Sequence, residues 1–162
     1  MDALDRRILR ELQRDCSQSA ARLAETCGTS ESTALRRIHR LRREGVIRGK
    51  VAVVDGARVG RGLLIFVQVR LEREDGAAVT AFVERVRKHP DVLQFHFVTG
   101  TPDYIIMLCV RSMEDYDAFL QEHLVSDRLV VMSETNVVVR PLKMSTAIPV
   151  DDPIAGCAGI AG

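Results

Sequence analysis

The segment Ser30 to Gly45 reads SESTALRRIHRLRREG and carries five arginines and one histidine. Placing its residues at about 100° each around a helix axis separates two faces. The first face is apolar and consists of Ala34, Ile38 and Leu41, with Leu35 at its edge. The opposite face is polar and basic, and consists of Ser32, Arg36, His39 and Arg43, flanked by Thr33 and Arg40. The pattern predicts a helix that packs along one side and presents positive charge on the other.

Two shorter helical patterns come before this segment. LDRRILREL repeats its apolar residues at helical spacing, which predicts a first helix that runs to about Asp15. ARLAETC predicts a second helix, capped by Ser19 and stopped by Gly28, because glycine suits the left-handed conformation past a helix end. Ser30 can cap the third helix in the same way. Two helices joined by a short turn containing glycine are the layout of a helix-turn-helix, whose second helix can enter the DNA major groove.

This layout assigns DNA-binding roles to one helix. Residues near the start of a recognition helix usually reach base edges, so Ser32, Thr33 and Arg36 are the candidates for sequence readout. The candidates for neutralising phosphates are Arg37, Arg40 and Arg43, and the capping residue Ser30 is included in the same DNA-binding set. The alternative is an exposed helix whose arginines serve only solubility.

The charge of the chain is divided between its two halves. Residues 1–50 hold 12 Lys and Arg against 7 Asp and Glu, whereas residues 51–162 hold 11 against 15. A basic half suggests a polyanionic partner, here double-stranded DNA, although a solvated arginine-rich surface has the same composition.

Composition excludes several other classes of protein. With 162 residues and 46% hydrophobic content, the chain can build one or two packed cores. It lacks an apolar run of the roughly 18 residues that a membrane helix needs, and it begins with charged residues unlike a signal peptide, so we expect a cytoplasmic protein with no membrane partner. The four cysteines are far apart without a C-x-x-C pair, and the four histidines form no cluster: Cys16, Cys27, Cys109, Cys157, His39, His89, His96 and His123. We therefore predict reduced thiols, no metal site and no cofactor.

The second half alternates strand and helix patterns. LLIFVQVRL (Leu63 to Leu71) predicts a strand, residues 75–88 predict a helix that ends at His89-Pro90, and residues 92–98 and 103–110 predict a hairpin. A helix carrying Tyr116 and Phe119 follows, then the strand-like run LVVMSETNVVVR and a final strand at KMSTAIPV. This order is that of a ferredoxin-like βαββαβ domain, which has helices on one face of its sheet. The other face needs a cover, and a second copy of the chain is the simplest one, so we infer a homodimer.

The predicted architecture is therefore α+β, with two domains. Residues 1–50 form the helix-turn-helix domain, 51–61 a linker with a short strand, 62–150 the ferredoxin-like domain and 151–162 a disordered tail. No Gly-rich phosphate loop and no nucleophile beside a base is recognisable in the sequence, and we predict no catalytic residues.

The order of these patterns, three helices followed by a ferredoxin-like domain, resembles that of the Lrp/AsnC (feast/famine) transcriptional regulators over about residues 4–150. The specific parts are LRRIHRLRREGVI and the G-x-x-D-Y turn formed by Gly100, Asp103 and Tyr104. The resemblance implies a DNA-binding regulator that dimerises through the sheet domain, often assembles further to tetramers or octamers, and binds a small effector, commonly an amino acid, in that domain. Carried over by position, the effector-binding candidates are Gly100, Thr101, Asp103, Tyr104 and Thr135, with His96 and Glu134 as looser ones.

The sequence departs from the family pattern at the effector turn. The family usually has G-D-x-D-Y, whereas here Thr101 and Pro102 fill the second and third places. The ammonium group of an amino acid needs an anion or other acceptors, so the loss of one carboxylate favours an altered effector, or none. The alternative for Gly100 and Asp103 is structural: the glycine makes the hairpin turn and the aspartate binds local backbone amides.

Two other functions are open at this point. Proteins similar to this family include tetrapyrrole decarboxylases, and an enzyme of that kind would use a cationic pocket, for which only His96, Arg70 and Arg111 are available. The second alternative function is that of an effector-binding assembly module whose helical domain no longer binds DNA.

Overall fold

The computed structural model describes residues 1–72 and 76–150, which form two compact units. The helical unit contains Met1–Ala52 together with residues 143–150, and the sheet unit is Val53–Leu142. The sequence pattern instead predicts residues 143–150 as part of the ferredoxin-like domain. No helix of the described ranges has the length and apolar character needed to cross a membrane.

Three helices build the helical unit: α1 (Ala3–Arg14), α2 (Ala20–Cys27) and α3 (Glu31–Arg43). The predicted caps are confirmed, because the Ser19 hydroxyl accepts from Arg22 N, the Ser30 hydroxyl accepts from Thr33 N, and Gly28 is left-handed with φ 63°. The predicted apolar face of α3 is also buried. Side chains of all three helices form one core, whose buried members are Ile8, Leu23, Cys27 and Ile38.

The C-terminal part of the helical unit is an extended strap across α1, consisting of residues 143–150. The amide group of the Gln13 side chain makes two hydrogen bonds to one residue of the strap: it donates to Ile148 O at 2.9 Å and accepts from Ile148 N at 2.7 Å. Arg10 donates to Val150 O at 3.3 Å. The strap and residues 46–51 border a groove of about 730 Å³ beside α1. Hydrogen bonds between side chains of α1 and the main chain of the strap thus tie the strap to α1.

The sheet unit follows the predicted βαββαβ order. Its elements are β1 (Leu63–Leu71), α4 (Gly76–Val86), β2 (Val92–Phe97), β3 (Tyr104–Val110), α5 (Met113–Leu120), a π-helical turn (Gln121–Val125) and β4 (Val130–Val137). The strands lie in the order β2-β3-β1-β4, and every neighbouring pair is antiparallel. The α+β fold class predicted from the sequence is confirmed.

The two faces of the sheet differ. Residues of β1 and β3 alternate between a fully buried row and a half-buried row. The buried row packs with the α4 and α5 side chains in a core that contains Ile65, Val67, Val69, Phe82, Ile106, Leu108 and Phe119. The half-buried row includes Leu64, Phe66, Ile105 and Met107.

Several predictions about the connecting segments are wrong or lie outside the described residues. The linker expected to hold a short strand contains only a 3-10 turn, Ala57–Val59. KMSTAIPV forms no strand in the described chain, and the Ile148 backbone in it bonds to the Gln13 side chain. The helix predicted over 75–88 is α4 and ends at Val86. Residue 75, the tail 151–162 and Cys157 lie outside the described residues.

Candidate DNA interface and effector turn

The start of α3 is organised by the Ser30 hydroxyl. It donates to Thr33 Oγ1 at 2.9 Å and lies 3.2 Å from Ser32 Oγ. The same oxygen accepts from Thr33 N at 3.3 Å. The cap therefore orders the two hydroxyl residues predicted to read bases, and Ser32 is exposed.

Three arginines extend from the exposed side of α3. Arg36 and Arg43, two of the predicted contacts, are exposed, and so is Arg42, to which the sequence analysis gave no role. Within residues 1–72 and 76–150, none of the three forms an ion pair. Their charges are therefore available to a polyanion.

The other two predicted phosphate ligands are engaged inside the domain. Arg37 bonds to the carboxylates of Asp2 and Asp5, and Arg40 bonds to Asp5 at 2.5 Å. Arg40 also lies 3.7 Å from Glu44. The Arg37 and Arg40 side chains are only 22% and 35% exposed, and the Asp5 carboxylate is fully buried. The structure therefore gives these arginines a helix-to-helix contact that helical projection of α3 alone does not reveal.

Asp2 and Asp5 also form a reciprocal cap at the start of α1. Asp5 N donates to Asp2 Oδ1 at 2.9 Å, and Asp2 N donates to Asp5 Oδ2 at 2.9 Å. The bond from Asp5 N, followed by that from Arg37, lowers the pKa of Asp2 to about 2. The carboxylates in turn raise the pKa of Arg37. The spacing D-x-x-D at the chain start is the sequence signal for this cap.

The predicted effector turn joins β2 to β3. Gly100 has φ 92°, a left-handed conformation that favours glycine, and Thr101 beside it is exposed. Asp103 is buried: its carboxylate accepts from Leu71 N at 3.0 Å and its N–H donates to Val69 O at 3.1 Å. These contacts bind the turn to β1, which is the structural role weighed for Gly100 and Asp103 from the sequence.

Tyr104 continues the turn into an aromatic cluster. Its ring lies 5.3 Å from the rings of Phe95 and Phe97 and 6.2 Å from that of Phe82, measured between centroids. Burial, and then the nearby Asp103 carboxylate, raise the pKa of the Tyr104 hydroxyl. The hydroxyl therefore stays protonated and can donate a hydrogen bond at neutral pH.

Thr135 lies far from this turn within one chain. It lies on β4 and pairs with Val67, whereas Tyr104 pairs with Val69 on the opposite side of β1. Two strand spacings, about 10 Å, separate β3 from β4. The Thr135 hydroxyl is instead hydrogen-bonded to the Tyr116 hydroxyl of α5.

The looser effector candidates, His96 and Glu134, and the cationic residue Arg111 lie at separate places in the sheet unit. His96 pairs with Ile105 at the start of β3 and bonds to Gln94 at 3.1 Å, and Glu134 lies on β4 opposite Gln68. Arg111 follows the far end of β3 and forms two bonds to Asp115, at 2.6 and 2.9 Å. Since six residues of strand span about 20 Å, His96 and Arg111 do not share a cationic pocket.

A helix-turn-helix with an exposed basic recognition helix, joined to a ferredoxin-like sheet unit, defines the class of DNA-binding transcriptional regulators with a ligand-binding domain. Two family models match the chain: the AsnC-type helix-turn-helix domain over residues 1–42 and the Lrp/AsnC ligand binding domain over residues 64–148. The chain belongs to the Lrp/AsnC family, which is a family of transcriptional regulators and not of enzymes.

Named relatives are similar to this protein along almost the whole length of its chain. The HTH-type transcriptional regulator AldR of Mycolicibacterium smegmatis is 34% identical over 143 residues, which are 88% of this chain and 84% of that protein. The crystal structure of an AsnC family regulator from Agrobacterium tumefaciens has a TM-score of 0.87 at 31% identity and covers 93% of this chain and 97% of its own. A Neisseria meningitidis regulator solved with L-Met has a TM-score of 0.88 at 29% identity, with the same coverages of 93% and 97%.

Proposed function

We propose that this regulator reads DNA with the start and the exposed side of α3. Ser32, Thr33 and Arg36 face bases, and Arg43, with the neighbouring Arg42, neutralises phosphates. The observation that carries the proposal is the exposure of these arginines without an ion pair among the described residues. We also propose a cytoplasmic location, since the proposed partner is chromosomal DNA.

The test is in vitro selection of fragmented genomic DNA on the purified protein, sequenced with and without a mixture of amino acids. Discrete enriched sites are expected, and their loss in an Arg36→Gln variant would link them to α3. An enrichment pattern that is the same for wild type and Arg36→Gln would refute this DNA-binding face.

We also propose that a small effector, such as an amino acid, binds the sheet unit at the Gly100–Tyr104 turn. The L-Met bound to the Neisseria meningitidis regulator supports this class of ligand. Exposed Thr101 and the Tyr104 hydroxyl offer polar contacts, while Asp103 shapes the turn through Leu71 N. Thr135 can contribute only from another subunit, because β1 separates it from the turn in one chain.

Asp103→Asn distinguishes direct binding from shaping of the turn. The asparagine carbonyl can still accept from Leu71 N, so a shaping role predicts that effector binding, measured by calorimetry with individual amino acids, is retained. A loss of ten-fold or more in a folded variant would show that the carboxylate contacts the ammonium group. Absence of heat with every amino acid for the wild type would refute the effector class.

We propose a homodimer that covers the half-buried face of the sheet. Phe66, Ile105 and Met107 lie on this face, opposite the helix-packed core. A two-fold dimer would also present two recognition helices to a palindromic site. Light scattering should give at least twice the chain mass, and Phe66→Asp should give the single-chain mass; a wild-type monomer would refute the proposal. Further assembly to a tetramer or octamer would appear in the same measurement.

A further inference from the structure

We propose that Asp5 is a positioning residue for DNA recognition, which sets the recognition helix on α1 through Arg37 and Arg40 and keeps both arginines away from DNA phosphates. This inference rests on the proposed DNA-binding face of α3. It replaces two predicted phosphate contacts with a role in the orientation of the helix that reads bases.

Both oxygens of the buried Asp5 carboxylate accept hydrogen bonds. Asp5 Oδ1 accepts from Arg37 at 3.1 Å, and Oδ2 accepts from Arg40 at 2.5 Å and from Asp2 N at 2.9 Å. A buried charge is tolerated when it is paired and hydrogen-bonded in this way. If a DNA phosphate took either arginine, the Asp5 carboxylate would be left inside the domain with an incomplete set of partners.

The recognition helix carries other arginines that can bind DNA phosphates. Arg36, Arg42 and Arg43 are exposed and form no ion pair within the described chain, so DNA can recruit them without breaking any contact. Arg37 already has two carboxylate partners, Asp2 and Asp5. Phosphate binding therefore favours the exposed arginines over the engaged ones.

The contact between α1 and α3 involves two residues on each side. Arg37 and Arg40 are three residues apart on α3, and Asp2 and Asp5 are three residues apart at the start of α1. Residues at this spacing lie on one side of a helix, so the contact has two points along the second half of α3 and two at the start of α1. Two points fix the rotation of α3 about its own axis, and that rotation determines whether Arg36 faces the groove.

The experiment compares Arg40→Gln with Arg43→Gln on two probes: an enriched genomic fragment and a scrambled duplex of the same base composition. Affinities are measured by fluorescence anisotropy over a series of salt concentrations. Loss of one phosphate contact lowers the slope of log K against log salt by about 0.9. We expect this decrease for Arg43→Gln, with the ratio of specific to scrambled affinity unchanged.

Arg40→Gln is expected to behave in the opposite way. Its salt slope should equal that of the wild type, while the ratio of specific to scrambled affinity falls ten-fold or more. The double variant Asp5→Asn with Arg40→Gln replaces the ion pair by neutral amides and should recover part of the ratio. If Arg40→Gln does not fold, Asp2→Asn removes only one of the two partners of Arg37 and should lower the ratio in the same direction.

Each outcome has a distinct meaning. A salt slope lowered by Arg40→Gln as much as by Arg43→Gln would overturn the positioning role, because Arg40 would then contact a phosphate. A ratio that is unchanged in folded Arg40→Gln and Asp2→Asn would also overturn it. A slope unaffected by Arg43→Gln, together with a DNA enrichment pattern unaffected by Arg36→Gln, would overturn the proposed DNA-binding face itself.

Discussion

Replacing Ser30 by alanine tests whether its hydroxyl only stabilises the recognition helix or also supports DNA binding. The substitution removes the cap that accepts from Thr33 N at 3.3 Å, a long and exposed hydrogen bond. We therefore take the lower part of the usual range for a lost cap, about 0.5–1 kcal/mol. For a unit of this size that loss lowers Tm by about 2–8 °C. Ser30→Gly, which retains most cap stability, should lower Tm by much less.

Ser19→Ala is the matched control, because Ser19 caps α2 through an equivalent bond to Arg22 N at 3.2 Å. Both alanine variants should lower the Tm of the helical unit by similar amounts in calorimetry. DNA affinity, measured by anisotropy well below both Tm values, should fall only for Ser30→Ala, since Ser32 and Thr33 lose their hydroxyl partner. Equal losses of affinity in the two variants would refute this reasoning and attribute the effect to stability alone.

Three further predictions concern the sheet unit and the strap. Phe82 is fully buried between the rings of Phe95 and Tyr104, so Phe82→Ala should cost the sheet unit about 3–5 kcal/mol in urea unfolding; a loss below about 1 kcal/mol would contradict this packing. Burial lowers the pKa of His123, so the sheet unit should lose stability as pH falls through the ordinary value of 6.5, and His123→Phe should remove that slope; parallel pH profiles would refute it. Gln13→Ala should speed hydrogen exchange at the Ile148 amide, whereas unchanged exchange would show that the strap is held by other contacts.

Local chemistry made the elements of this protein predictable. Ser19, Gly28 and Ser30 are terminal signals whose bonds lie within one helical turn, and each acts in the structure as expected. β1 also has its predicted bounds, since its alternation of fully and half-buried residues follows from the strand period of two.

Contacts between distant parts of the chain were not predictable in this way. The pairing of Asp5 with Arg37 and Arg40 joins residues more than 30 positions apart, and projection of one helix shows only that the arginines point away from its own apolar face. KMSTAIPV has strand-forming residues, yet the Gln13 side chain provides its main-chain partner. The candidate effector turn was located by resemblance, whereas the hydrogen bond from Leu71 N to Asp103 is visible only in the three-dimensional structure.

The strap has a consequence for how the molecule is made. Since the helical unit takes residues from both ends of the described chain, the continuous sheet unit is in effect inserted into it. Domains generally fold as they leave the ribosome, the N-terminal one first. Here the three helices emerge early, but Gln13 meets Ile148 only after the whole sheet unit has been synthesised. The helical unit is thus the first to begin folding and the last to be completed. A nascent chain that stalls before residues 143–150 has the three helices of this unit without the strap that bonds to α1.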